Sequence, residues 1–362
     1  MRWLFVSLVF SLLVFTGGAA VAGMTPDIAE QQDPHTPILS SVQIRGNVSP
    51  PMWEFTRGDK RILVLGTQYP LRKDTAFYSG MIEQYASQAD AMLGPPGLVA
   101  DDSVSLWRGI MLWTAARRAQ VNPGGKSLKE VLSPQTYRRW GALKLKYIGH
   151  KSSVERLRPM YAAFKLYTAA IKKTNMRNDS RVYPIIERVV ERKKGEVADG
   201  RFHLAVDPTK TTAKAFEVSA QEDVTCLEQT LDQLEPFLEN APLAADAWAA
   251  GDVVLYGEIV ARYKPPKACW ARLTNEAFGR LDGVVDPYGQ VDASWMGALY
   301  RLFATRDVVI TLLPARDILS SSGVVSTLIA QEWSITPLFA KQDTTASSSA
   351  DVEFGSVPVT NP

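Results

Sequence analysis

Two short runs of branched apolar residues stand out along the chain. Ile62-Leu63-Val64-Leu65 and Asp307-Val308-Val309-Ile310-Thr311-Leu312-Leu313 have no polar alternation, so each predicts a strand buried on both faces. Ahead of the first run, Trp53-Glu54-Phe55 and the turn Arg57-Gly58-Asp59-Lys60 predict a tight hairpin. Further short strands are predicted at Ala91-Met92-Leu93, Phe202 to Val206 and Trp333 to Pro337. Between them the apolar spacing becomes helical. Helices are predicted over 77–90, 104–119, 137–149, 160–173, 184–194, 224–238, 243–251, 252–262, from 268 onward and 294–303. Ser133-Pro134 reads as an N-cap followed by proline at the first helical position. Asp101 and Asp102 read as caps for the helix at 104–119. The fold class is therefore mixed α/β: a central mixed sheet of short strands surrounded by many helices, with a helical middle region.

The ends of the chain are set apart from this core pattern. Arg2 precedes an apolar run, Trp3 to Phe15, and Ala20-Val21-Ala22 is an A-x-A cleavage site. Residues 1–22 thus predict a secretory signal peptide, too short to span a bilayer comfortably. Residues 23–48 predict a flexible leader, 49–340 a single domain, and 341–362 a disordered Ser/Thr-rich tail. No later stretch is apolar and long enough to cross a membrane, which places the mature protein in the periplasm or outside the cell.

Charge removes one class of partner. Lys plus Arg number 40 against 38 for Asp plus Glu, and this balance gives no basis for nucleic-acid binding. The two cysteines, Cys226 and Cys269, predict one disulfide in an oxidising compartment, worth about 4 kcal/mol in the chain-entropy model. Two buried free thiols are the alternative. The three histidines, His35, His150 and His203, are scattered. His203 has no acidic or histidine partner nearby in sequence and reads as structural.

Candidate chemistry gathers where the buried strands end. Gly66 allows a sharp turn after the first run, and Thr67, Gln68, Tyr69 and Arg72 follow. Arg316 and Asp317 follow the second run. Open α/β sheets place their sites at such carboxyl ends. The stretch Leu65-Gly66-Thr67-Gln68-Tyr69-Pro70-Leu71 resembles the first signature of the TraB/GumN family, which includes the TIKI metalloproteases. Leu313-Pro314-Ala315-Arg316-Asp317 resembles its second. The order of elements over roughly residues 50–340 is similar to that family's, and its Cys…Ala-Trp-Ala-x-Gly-Asp…Cys pattern supports the disulfide. Glu155-Arg156-Leu157-Arg158-Pro159 resembles its middle region; there Arg156 and Arg158 either pair structurally at a helix start or grip an anion.

The resemblance implies a mixed α/β core in which two strand-end histidines and a carboxylate hold a divalent metal. This chain has Tyr69 and Asp317 at the histidine positions and no Asp or Glu from Ala91 to Leu98. Thr274-Asn275 stands where the family has an Arg-Asn pair. A metal hydrolase needs about three lone-pair ligands and an open position for water; one, Asp317, remains. The reading is an envelope protein without a cofactor and without catalysis. It would bind a polar ligand or an envelope protein through a cleft formed by Thr67, Gln68, Tyr69, Arg72, Asn275, Arg316 and Asp317. The alternatives are that these residues satisfy one another, with Arg72 or Arg316 paired to Asp317, or that a metal-dependent hydrolase uses ligands of another kind.

Overall fold

The computed structural model describes residues 49–101, 120–178, 180–205, 219–263, 265 and 287–338. The leader, the tail, the helices predicted at 104–119 and from 268 onward, Cys269 and Asn275 lie outside the described residues. The hairpin forms as predicted: β1 (Met52–Arg57) and β2 (Lys60–Thr67) pair antiparallel, with Arg57 opposite Lys60 and Gly58 at φ +60° on the tip. A two-residue strand, β3 (Leu71–Arg72), follows, then β4 (Ala91–Leu93) and β5 (Gly97–Asp101). The later strands are β6 (Met176–Arg177), β7 (Glu196–Ala198), β8 (Arg201–Ala205), β9 (Val308–Pro314) and β10 (Ser334–Leu338).

Six of these strands form one sheet in the order β10-β1-β2-β9-β4-β7. The four from β2 to β7 run parallel, and β1 and β10 add antiparallel on one side. Ile62 to Leu65 and Val309 to Leu313 have 0–2% of their surface exposed, as strands covered on both faces require. β9 returns from the far end of the chain and inserts between β2 and β4. The carboxyl ends of the central strands are thereby brought together.

The helices are α1 (Gly80–Ala86), α2 (Leu128–Val131), α3 (Pro134–Tyr147), α4 (Pro159–Lys173) and α5 (Tyr183–Arg192). They continue with α6 (Ala220–Ala249), α7 (Val253–Ala261), α8 (Pro287–Phe303), α9 (Ala315–Ser320) and α10 (Val324–Ala330). Ser133 caps α3 through the Thr136 amide, and Asp252 caps α7 through the Leu255 amide.

Three expectations are corrected. The two helices predicted at 224–238 and 243–251 are one 30-residue helix, α6, with Pro236 and Pro242 inside it. Each proline removes an intrahelical hydrogen bond. The burial of Phe237, Ala241, Ala244, Ala245 and Trp248 on that helix offsets the loss. Gly97 to Asp101 is a strand, β5, where none was predicted; it pairs with β8 in a separate two-stranded sheet, and the helix that Asp101 was expected to cap lies outside the described residues. His203 does have an acidic neighbour, since its Nε2 lies 3.0 Å from Asp199 Oδ2. Bonding by Arg201 first, and then by His203, holds the Asp199 carboxyl well below the usual carboxylate range.

Gly66 is fixed by packing as well as by the turn. A Cβ there would collide with the Trp53 ring and stand 3.1 Å from Ala315 Cβ. Its carbonyl accepts a hydrogen bond from Trp248 Nε1 at 2.6 Å. Gly66→Ala is therefore expected to lose about 1–3 kcal/mol of stability by overpacking, read as a lowered urea midpoint with unchanged slope. An unshifted midpoint would mean that the Trp53 ring moves aside freely.

Candidate functional site

β2 and β9 lie side by side in parallel register, Gly66 opposite Leu313 and Thr67 opposite Pro314. The segments after them, Gln68-Tyr69-Pro70 and α9, therefore leave the same edge of the sheet. Tyr69–Pro70 is a cis peptide. β4 flanks β9 on the other side with Leu93 opposite Thr311, and the segment after it, Gly94 to Leu98, carries no acid.

The strand-end side chains are largely engaged with the protein itself. Thr67 Oγ1 donates to the Leu313 carbonyl at 3.3 Å, tying the two strand ends. Gln68 is 5% exposed, and its Oε1 accepts from the Tyr256 hydroxyl at 2.7 Å. Tyr256 comes from α7 and is fully buried; burial first of all drives its phenol far above the ordinary value. Tyr263, just beyond α7, is also raised by burial, against the opposing effects of Arg316 and then Gln68.

Arg316 reaches across to the same helix. Its Nη2 donates to the carbonyls of Val260 at 2.7 Å and Tyr263 at 3.4 Å. Its guanidinium carbon lies 5.3 Å from the Tyr263 ring centroid, a cation–π distance. The end of α7 is thus held by a cation on its last carbonyls, which also suits the helix dipole.

Asp317 is 8% exposed on α9 and accepts from Ser322 Oγ at 3.2 Å. Burial pushes its carboxyl up to about 7, against the opposing Ser322 hydrogen bond and Arg316 charge, with Asp292 of α8 adding to the rise. Arg72 stands at the rim. It makes a two-pronged contact to Asp74 at 3.0 and 3.1 Å and lies 3.5 Å from Asp246 of α6. Tyr69 is half-buried.

Of the predicted cleft residues, the fold brings the two strand-end groups to one sheet edge, and α7 links Gln68 to Arg316. Neither Arg72 nor Arg316 forms an ion pair with Asp317 among the described residues; Asp74 and Asp246 take Arg72, and backbone carbonyls take Arg316. Sequence reading did not assign Tyr256, Tyr263, Trp248 and Ser322 to this site. The one available signal was a phenol inside the apolar run Val253-Val254-Leu255-Tyr256, because a buried hydroxyl needs a partner. Arg158 is no anion grip: its Nε pairs with Asp223 Oδ2 at 2.6 Å, with side chains 12% and 4% exposed.

A mixed α/β scaffold with its polar groups at the carboxyl ends of two central parallel strands is the class this geometry defines. The TraB/PrgY/gumN family model matches residues 51–337, and the chain belongs to that family. No curated protein and no solved structure matches it. Among the described residues no group of three or more His, Cys, Asp or Glu side chains is placed to hold a metal ion; the strand ends offer a phenol, Tyr69, and one buried carboxyl, Asp317.

Proposed function

We propose that this chain is an exported, non-catalytic member of the family. It recognises a polar ligand or an envelope protein at the carboxyl ends of β2 and β9 and turns no substrate over. One observation carries the reading: the strand-end groups are committed to structure. Gln68 is bonded to Tyr256, and Arg316 is spent on the carbonyls of Val260 and Tyr263. A hydrolytic metal needs about three lone-pair ligands and a water position, and Asp317 alone cannot supply them. Tyr69 is half-buried, and Arg72, paired with Asp74 and Asp246, stands at the rim where a partner would approach. Export follows from the apolar run Trp3 to Phe15 and the Ala20-Val21-Ala22 site. A Cys226–Cys269 disulfide belongs to the same reading. No helix among the described residues is long and apolar enough to cross a membrane.

Elemental analysis after exposure to manganese, cobalt or zinc and exhaustive dialysis tests the proposal. Far less than one equivalent of metal is expected, and Asp317→Ala should change nothing. One tightly held equivalent would overturn it in favour of a metal-dependent hydrolase with ligands of another kind.

A further inference from the structure

The C-terminal part of α6 and the face of α7 enclose a groove of about 390 Å³. Its wall is apolar: Leu243, Ala247, Ala250, Leu255 and Ile259 line it. Leu243 on α6 and Leu255 on α7 are 51% and 42% exposed, which leaves two large apolar side chains half open. Asp246, Asp252 and Arg262 supply charged groups of both signs at its edge.

The place where the leader enters the fold singles out an occupant. Ser49 is 7% exposed, and its carbonyl oxygen lies 2.5 Å from where a Cβ on Gly251 would sit. Gly251 is the φ +66° residue between Ala250 and Asp252, so residues 1–48 join the domain at one end of the groove. The leader's apolar residues nearest this point are Val48, Ile44, Val42, Leu39 and Ile38, and Arg45 is the only Lys or Arg of residues 23–48. From Ser49 back to Ile44 an extended chain covers about 17 Å. Leu243 to Ala250 is about 10 Å of helix.

We propose that the leader segment Ile38 to Ile44, which lies outside the described residues, covers this groove with its apolar side chains. The match rests on tether position, reach and apolar content. It goes beyond the strand-end reading and does not depend on it. A segment tethered this closely competes at an effective concentration in the millimolar range. Any partner seeking the groove must displace it first.

The test is a photo-cross-linking residue, benzoylphenylalanine, placed at Leu255 of the exported chain, with a control at Leu145, which is 55% exposed on α3. Irradiation at Leu255 is expected to give intramolecular cross-links to residues 37–45, read by mass spectrometry. Their yield should be unchanged by tenfold dilution and fall at least fivefold when Ile38, Leu39, Val42 and Ile44 are changed to Ser. The Leu145 control should give none to that segment. Cross-links only between copies, only to other segments, or equal in yield from the control would overturn the proposal.

Discussion

Asp223→Ala is expected to cost about 3–5 kcal/mol of folding stability, the largest single loss we expect in this chain. Asp223 sits in the first turn of α6 with its side chain 4% exposed. One carboxylate oxygen accepts from Arg158 Nε at 2.6 Å, and the other accepts from the Met160 amide at 2.7 Å. Met160 is the second residue of α4, so the carboxylate also caps that helix and meets the positive end of its dipole. Truncation leaves a guanidinium that is 12% exposed without this partner and strips the Met160 amide of its acceptor. The cost of uncompensated burial exceeds what the pair contributed when intact. Urea unfolding of the parent and variant measures it. Asp223→Asn keeps an acceptor for Met160 and should lose visibly less. Equal losses for Ala and Asn would mean that the charge, and not the cap, carries the effect. A loss under about 1 kcal/mol for Ala would mean that water reaches the site.

What the sequence made legible followed from local pattern. The two buried strands, the Gly58 hairpin, the Ser133 cap and the amphipathic stripe of α5 each depend on residues a few positions apart, and each formed close to its predicted bounds. The strand-end position of Gln68 and Asp317 was readable for the same reason. The misses depend on distant partners. β5 is five residues following a Pro-Pro turn, and its pairing partner β8 starts more than a hundred residues later. Pro236 and Pro242 count against a helix interior by local rules. Only the surfaces packed against α6 make a continuous helix the better solution. Tyr256 and Tyr263 were invisible as site residues because their partners, Gln68 and Arg316, come from opposite ends of the chain.

That distant pairing changes the meaning of the strand-end residues. Gln68 and Arg316 look like ligand-binding groups when read in sequence, since both are polar and both follow a buried strand. In the fold each is a tie to the α7 region. Gln68 anchors the Tyr256 hydroxyl, and Arg316 holds the last carbonyls of the helix while lying over Tyr263. At this edge of the sheet Gln68 and Arg316 work as internal fastening. Beside them, burial raises the Asp317 carboxyl above the ordinary carboxylate range.

Asp317→Asn is expected to stabilise the protein above neutral pH by up to about 4 kcal/mol and to change it little near pH 4. The carboxyl is 8% exposed, and burial raises it from the ordinary 3.8 to about 7 in the fold. A raised acid binds its proton more tightly folded than unfolded, so between about pH 4 and pH 7 the native state holds more protons. Stability from this group is then fully present below the unfolded value, falls as pH rises through the window, and stays low above it. At roughly 1.4 kcal/mol for each tenfold change in proton affinity, that rise sets a ceiling of about 4 kcal/mol, which local relaxation reduces. Asn carries no charge to desolvate and keeps an oxygen for Ser322 Oγ. The variant's urea midpoint should therefore lose this part of the decline between about pH 4 and pH 7, so that the curves of parent and variant separate as pH rises. Parallel curves would show that the carboxyl ionises at an ordinary pH, and that Arg316 and the Ser322 hydrogen bond together offset its burial.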